Sequence, residues 1–123
     1  MARVELRPTV AADFLALQGA PPQFRCRCFT AIVDGRVIGI GGLVHMPNGE
    51  IWASVVMAAE AHNYPVAIHR AGLLAIERFK ALGLKRVLAS AEPDNPAAER
   101  WLQRLGFAAI EIGRHRVFVW TGE

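Results

Sequence analysis

The first apolar positions alternate. Val4 and Leu6 are interleaved with Arg3, Glu5 and Arg7, the period of a half-buried strand, and Pro8 ends the run. Thr9 stands where a cap is wanted. Val10, Phe14 and Leu17 then recur at helical spacing, so a helix over Val10–Gln18 that buries those three is expected, stopped by Gly19-Ala20-Pro21-Pro22. Cys28–Val33 and Val37–Met46 read as strands joined by Asp34-Gly35, a pair that accepts the positive φ angles of a tight hairpin turn. Gly39, Gly41 and Gly42 lie inside the second of these strands, where glycine marks a bulge or a close backbone approach. Met46-Pro47-Asn48-Gly49 turns the chain again, and Ile51–Met57 completes an antiparallel meander.

The period then changes to 3.6. From Val66 to Leu82, the residues Ile68, Ala71, Gly72, Ala75, Ile76, Phe79 and Leu82 form one apolar face, and Arg70, Glu77 and Lys80 lie on the other. Gly83 ends that helix. Val87–Ser90 lacks polar alternation, as a strand covered on both faces does. Pro96–Leu105 carries the stripe Ala98, Trp101, Leu102 and Leu105, with Asn95 placed to cap it, Pro96 in its first turn and Gly106 beyond its end. Phe107–Ile112 and Val117–Trp120 close the chain as a hairpin around Gly113-Arg114. The order is strand, helix, three antiparallel strands, helix, strand, helix and two strands: a mixed α/β (α+β) fold without repeats or linkers.

Composition narrows the function classes. A chain of 123 residues with 53% apolar and 20% charged residues has room for one packed core. Its net charge is +3, and the basic residues are scattered among acids, so no nucleic-acid arm is expected. The first ten residues lack the apolar core of a signal peptide, and no run approaches the roughly 18 apolar residues of a membrane span, which points to a cytoplasmic protein with no membrane partner. Cys26 and Cys28, one residue apart, read as free thiols; with His45, His62, His69 and His115 at no ligand-like spacing, no metal is expected. Cys26-Arg27-Cys28 also lacks the spacer and helix N-terminus of a redox-active pair. The high apolar fraction makes a homodimer one expectation.

The element order, together with Asn95, Ala98 and Leu105-Gly106-Phe107 after a buried strand, resembles the GNAT superfamily of acyl-CoA-dependent N-acetyltransferases. The resemblance is specific over Ile51–Phe107 and looser over Met1–Asn48, where two helices are cut down to one. It implies a single domain over residues 1–123, with a mostly antiparallel central sheet of six to seven strands and about three helices. It further implies transfer of an acetyl group from acetyl-CoA to an amine, on a small molecule or a protein. The pyrophosphate would lie on the N-terminus of the long helix, at Val66, Ala67, Ile68, His69 and Arg70, and Asn95 would border the pantetheine arm. The thioester carbonyl would be held by backbone N–H near Val56 or Met57, and Glu50, opening the fourth strand, would be the general base.

Each of these has a plainer alternative, and two departures from the family pattern favour it. Asn63-Tyr64-Pro65-Val66-Ala67-Ile68 contains no glycine; Pro65 donates nothing, and Val66 and Ile68 would crowd a phosphate. Leu102 occupies the position of the acid tyrosine, and Tyr64 lies elsewhere. Glu50 is otherwise a solvated residue at a strand start, His45 and His62 surface or packed histidines, and Asn95 a cap. Trp52, Trp101 and Trp120 suit core or cleft walls, and Gly39-Ile40-Gly41-Gly42 precedes no helix that could use it as a phosphate loop. The rival reading is a fold relative, of a kind also carried by tailed phages, that has lost its cofactor and serves as an interaction module.

Overall fold

The computed structural model describes residues 4–22, 25–91 and 95–122, so the expectations that touch Arg3 and Asp94 lie outside the described residues. The elements are β1 (Glu5–Pro8), α1 (Ala11–Gln18), β2 (Arg25–Val33), β3 (Arg36–His45), β4 (Ile51–Met57), a 3₁₀ segment (Ala59–Asn63), α2 (Pro65–Ala81), β5 (Arg86–Ala89), α3 (Pro96–Arg104), β6 (Ala108–Ile112) and β7 (His115–Thr121). The strands form one sheet in the order β1-β2-β3-β4-β5-β7-β6. Every neighbouring pair is antiparallel except β4 and β5.

Local chemistry explains the turns. Asp34 and Gly35 take φ of 49° and 77°, the two positive angles of a tight hairpin turn, and the glycine run in β3 follows a register shift at Ala31/Ile32. A Cβ at Gly42 would stand 2.2 Å from the Arg27 carbonyl oxygen, so β2 and β3 approach there as only glycine permits.

Two layers cover the sheet. The apolar stripes of α2 and α3 bury Ile76, Phe79, Leu102 and Leu105 against Leu43, Val87, Ala89, Phe118 and Trp120. Phe79 meets Trp120 edge to face at 5.4 Å. The helices close on each other at Gly72, where a Cβ would meet Trp101 at 2.9 Å. The outward face of α2 is less polar than its sequence predicts, because Leu73 and Leu74 are exposed beside Arg70, Glu77 and Lys80.

The α1 layer corrects an expectation. Val10 is exposed, Phe14 and Leu17 are only half-buried, and the one buried residue of the helix is Asp13. Its carboxylate accepts two hydrogen bonds from Arg7 at 2.6 and 2.7 Å, one from the Thr30 hydroxyl at 2.8 Å and one from the Val10 N–H at 2.9 Å. Thr9 bonds Thr30 and does not cap the helix. A carboxylate with four donors offsets its own desolvation, so α1 is anchored by charge where hydrophobic periodicity predicted apolar contact.

Candidate functional site

The β4–β5 pairing rests on a single register pair, Trp52 with Leu88. β5 ends one residue later and β4 continues to Met57, so among the described residues the second half of β4 has no strand partner on that side. Both strands end toward the starts of α2 and α3, since each helix must run back antiparallel to the strand before it.

The register with β3 decides which amides face the gap. Antiparallel ladders alternate between residues bonded to the neighbour and residues directed away from it. Glu50 accepts from the Met46 N–H at 2.9 Å and Ala58 donates to the Ile38 carbonyl at 2.9 Å, so the even-numbered backbone of β4 is bonded to β3. The N–H and C=O groups of Val55 and Met57 therefore point to the side that β5 has vacated. Of the two amides expected to hold a carbonyl, that of Met57 faces the gap and that of Val56 is turned into the β3 ladder. Val55 was missed. The Met46-to-Glu50 turn fixes the parity, and counting from it would have identified Val55.

At the mouth of the gap stands the N-terminus of α2, and no side chain caps it. Pro65 begins the helix without a donor, the Ile68 N–H bonds the Tyr64 carbonyl at 3.0 Å, and the N–H groups of Val66 and Ala67 are the first-turn donors left over among the described residues. The Val66 side chain is 65% exposed and does not fill the gap. Ile68 is half-buried, Arg70 is exposed, and the Nδ1 of His69 is buried with no hydrogen-bond partner among the described residues. Trp101, packed on Gly72, has a buried Nε1 in the same condition. Tyr64 turns inward against Ala31, Val33 and Ile38.

The N-terminus of α3 differs. Asn95 caps it as expected, its Oδ1 accepting from the Ala98 N–H at 3.1 Å, and the residue is exposed.

Glu50 is brought to neither helix start. Its carboxylate accepts from Asn48 Nδ2 at 2.7 Å, and it lines a cavity of about 300 Å³ with Arg86 and Leu88 at the paired end of β4. At about 3.3 Å per residue, the Met57 amide lies roughly 20 Å along the strand. The expectation of Glu50 as the base therefore concerns a carboxylate at the paired end of β4, and it serves only an amine that comes within hydrogen-bond reach of it, directly or through one water.

A larger cavity, about 360 Å³, lies on the α1 face. Gln18, Ala20, Pro21, Pro22, Cys26, Cys28, Val44 and Ser54 line it. Both thiols are free, and burial first, then its neighbour Cys26, push the Cys28 thiol up to about 12. Among the described residues no group of three or more His, Cys, Asp or Glu could hold a metal ion, and no helix is long and apolar enough to cross a membrane.

No family model matches the chain, and no curated protein is similar to it in sequence. Solved structures are. An N-acetyltransferase from Staphylococcus aureus Mu50 is 13% identical with a TM-score of 0.71, the match covering 98% of each chain. The ribosomal-protein-S18-alanine N-acetyltransferase of Escherichia coli is also 13% identical, TM-score 0.73, over 98% of this chain and 95% of that one. A Bacillus subtilis acetyltransferase solved in complex with CoA is 16% identical, TM-score 0.66, over 98% and 99%. Identities this low speak to architecture, and the architecture agrees along nearly the whole length. With its seven-stranded, mostly antiparallel sheet, three helices and parted fourth and fifth strands, the chain has the GNAT fold.

Proposed function

We propose that this chain is an acyl-CoA-dependent N-acyltransferase that moves an acetyl group from acetyl-CoA to a primary amine. The observation that carries the reading is the set of backbone donors along one path that have no partner among the described residues. The Val55 and Met57 amides line the vacated edge of β4, and the Val66 and Ala67 amides stand on the bare N-terminus of α2. Such groups cost free energy unless a ligand or water satisfies them. Helix N-termini attract phosphate, and strand amides are donors for a carbonyl oxygen on which charge develops.

Acetyl-CoA, when bound, supplies an acetyl thioester whose carbonyl carbon is open to attack by an amine nitrogen. The protein's own part is to hold and orient. Val66 and Ala67 donate to the pyrophosphate, and Arg70 adds positive charge beside it. Ile68 contributes its side chain as a wall, its N–H being spent on Tyr64, and the unpartnered Nδ1 of His69 is available to the same ligand. Asn95 keeps its Nδ2 for the pantetheine arm while its Oδ1 caps α3. The amide of Val55 or of Met57 takes the thioester oxygen, since the two stand about 6.6 Å apart along the strand and one oxygen cannot reach both, and Val56 packs the strand behind them. Glu50, opening β4, or solvent takes the amine's proton, and solvent returns one to the leaving thiolate. A cytoplasmic location suits the two free thiols, and residues 1–123 act as one domain. A homodimer belongs to this reading through Val66, Leu73 and Leu74, exposed on α2; light scattering that finds only monomer at micromolar concentration removes it.

One observation favours the rival. The valine at the mouth is bulky where a phosphate must approach, which suits an interaction module that has lost its cofactor. Titration calorimetry with acetyl-CoA at millimolar concentration separates the two. Heat of binding and a raised melting temperature support the transferase, and neither heat nor shift overturns it.

A further inference from the structure

The cavity under α1 lies on the face of the sheet opposite α2 and α3, and β4 borders it at Ser54. The even-numbered side chains of β4 point to the α1 face, since Ser54 lines that cavity while Ile51 and Ala53 pack into the α2–α3 core. Ser54 is adjacent in sequence to Val55, so a molecule seated against Ser54 reaches the Val55 amide within about one residue's rise of 3.3 Å.

The chemistry of the lining is narrow. Two prolines, an alanine and a valine supply apolar wall; the amide of Gln18, the hydroxyl of Ser54 and two thiols supply the polar atoms. No charged side chain is among the described lining residues. Arg25 and Arg27 alternate with the cysteines along β2 and so face the opposite side. Asp13, the buried acid of α1, is held by Arg7, Thr30 and Val10 and has no free oxygen to offer. The Cys28 thiol stays protonated at neutral pH, and Gln18 is folded back by a 2.9 Å hydrogen bond to the Ala20 carbonyl.

We infer that this cavity takes the acceptor, and that the acceptor is a primary amine carried on an uncharged, apolar body such as an aryl or alkyl chain. The inference rests on the transferase reading above and adds the substrate class. A second ammonium, as in a polyamine, would need a carboxylate, and a substrate carboxylate would need a free cation; the lining offers neither, and an unpaired charge there loses its hydration without return. The same lining helps the chemistry. Desolvation lowers an ammonium's pKa from its usual value of about 10.4, so an amine drawn into the cavity sheds its proton more readily without a dedicated base.

Binding of amines to the full chain, followed by NMR on the resonances of Gln18, Cys28 and Ser54, tests this apart from catalysis. With 2-phenylethylamine, spermidine and glutamate as probes, 2-phenylethylamine should shift those resonances and bind at least about tenfold more tightly than either other probe. Gln18→Glu places a carboxylate at the rim without altering the fold of an exposed helix end, and should move the spermidine-to-phenylethylamine ratio at least about threefold toward spermidine. Spermidine or glutamate binding as tightly as phenylethylamine in the parent overturns the inference, as does phenylethylamine shifting none of the three resonances or an unmoved ratio in Gln18→Glu. Acetyl-CoA is titrated separately: if it fails to bind while phenylethylamine binds at the cavity, the transferase reading falls and the cavity's selectivity stands.

Discussion

Two polar regions of this small domain are built on opposite rules. Under α1, the buried acid is fully partnered: Asp13 collects four hydrogen bonds, and Thr30 joins it to Thr9. At the parted edge of β4 and the start of α2, donors are left over among the described residues and no side chain caps the helix. Satisfied groups of the first kind hold a fold together. Groups of the second kind are left to water or to a ligand, and the proposed function gives them the ligand.

The largest expected effect removes the satisfied region. Asp13→Ala leaves the Val10 N–H and the Arg7 guanidinium without their acceptor and opens a gap beneath the helix, and it should cost about 2–4 kcal/mol in denaturant unfolding. Acetyl-CoA binding, measured well below the melting temperature, should persist. Equal loss of stability and binding would show that the two regions are one.

The same carboxylate predicts an acid response. The Arg7 hydrogen bonds outweigh the burial penalty and, with the Val10 N–H and Thr30, hold the Asp13 carboxyl well below the usual carboxylate range. A pKa lower in the folded chain than in the unfolded one adds stability above the unfolded value of about 3.9, and that share is lost as pH falls from there toward the folded value. Stability should therefore decline below about pH 5. In Asp13→Asn the decline should be shallower, and unchanged acid slopes in the two proteins would remove Asp13 as its source.

Ala67→Asp attacks the unsatisfied region with opposite signs. A carboxylate in the first turn of a helix favours the dipole by about 0.3–1 kcal/mol, so the variant should melt no lower than the parent. The same charge repels a pyrophosphate and should weaken acetyl-CoA at least about tenfold, read by calorimetry. Undiminished affinity would move the phosphate site away from α2.

This contrast also marks where the sequence was legible. β4 falls on its expected residues, the Asp34-Gly35 turn has its predicted angles, and Asn95 caps α3. All three are local, set by neighbours within a few positions. Asp13 was not legible, because its partners Arg7 and Thr30 come from separate strands, and periodicity weighs a carboxylate as solvent-facing. The 3₁₀ segment Ala59–Asn63 was missed for a similar reason: Glu60 is tied to Arg36, 24 residues away. The candidate site was read in part. Its helix start was identified from Pro65 onward, but which of Val56 and Met57 turns its amide to the gap needed the β3 register, which no single strand carries.

The smallest effect separates the two rules within one residue. Asn95 caps α3 with its Oδ1, as a structural group does, and in the proposed site its Nδ2 faces the pantetheine arm, as a binding group does. Asn95→Asp keeps an oxygen for the Ala98 N–H, so the melting temperature should hardly move, whereas Asn95→Ala should lose the roughly 1 kcal/mol that a cap contributes. The aspartate has no Nδ2 to donate and brings a negative charge, so Asn95→Asp should weaken acetyl-CoA by several-fold while stability holds. Calorimetry beside thermal melts reads both quantities on one sample. If Asn95→Asp binds acetyl-CoA as the parent does, Asn95 belongs wholly to the satisfied class, and the donors of β4 and α2 carry the cofactor site without it.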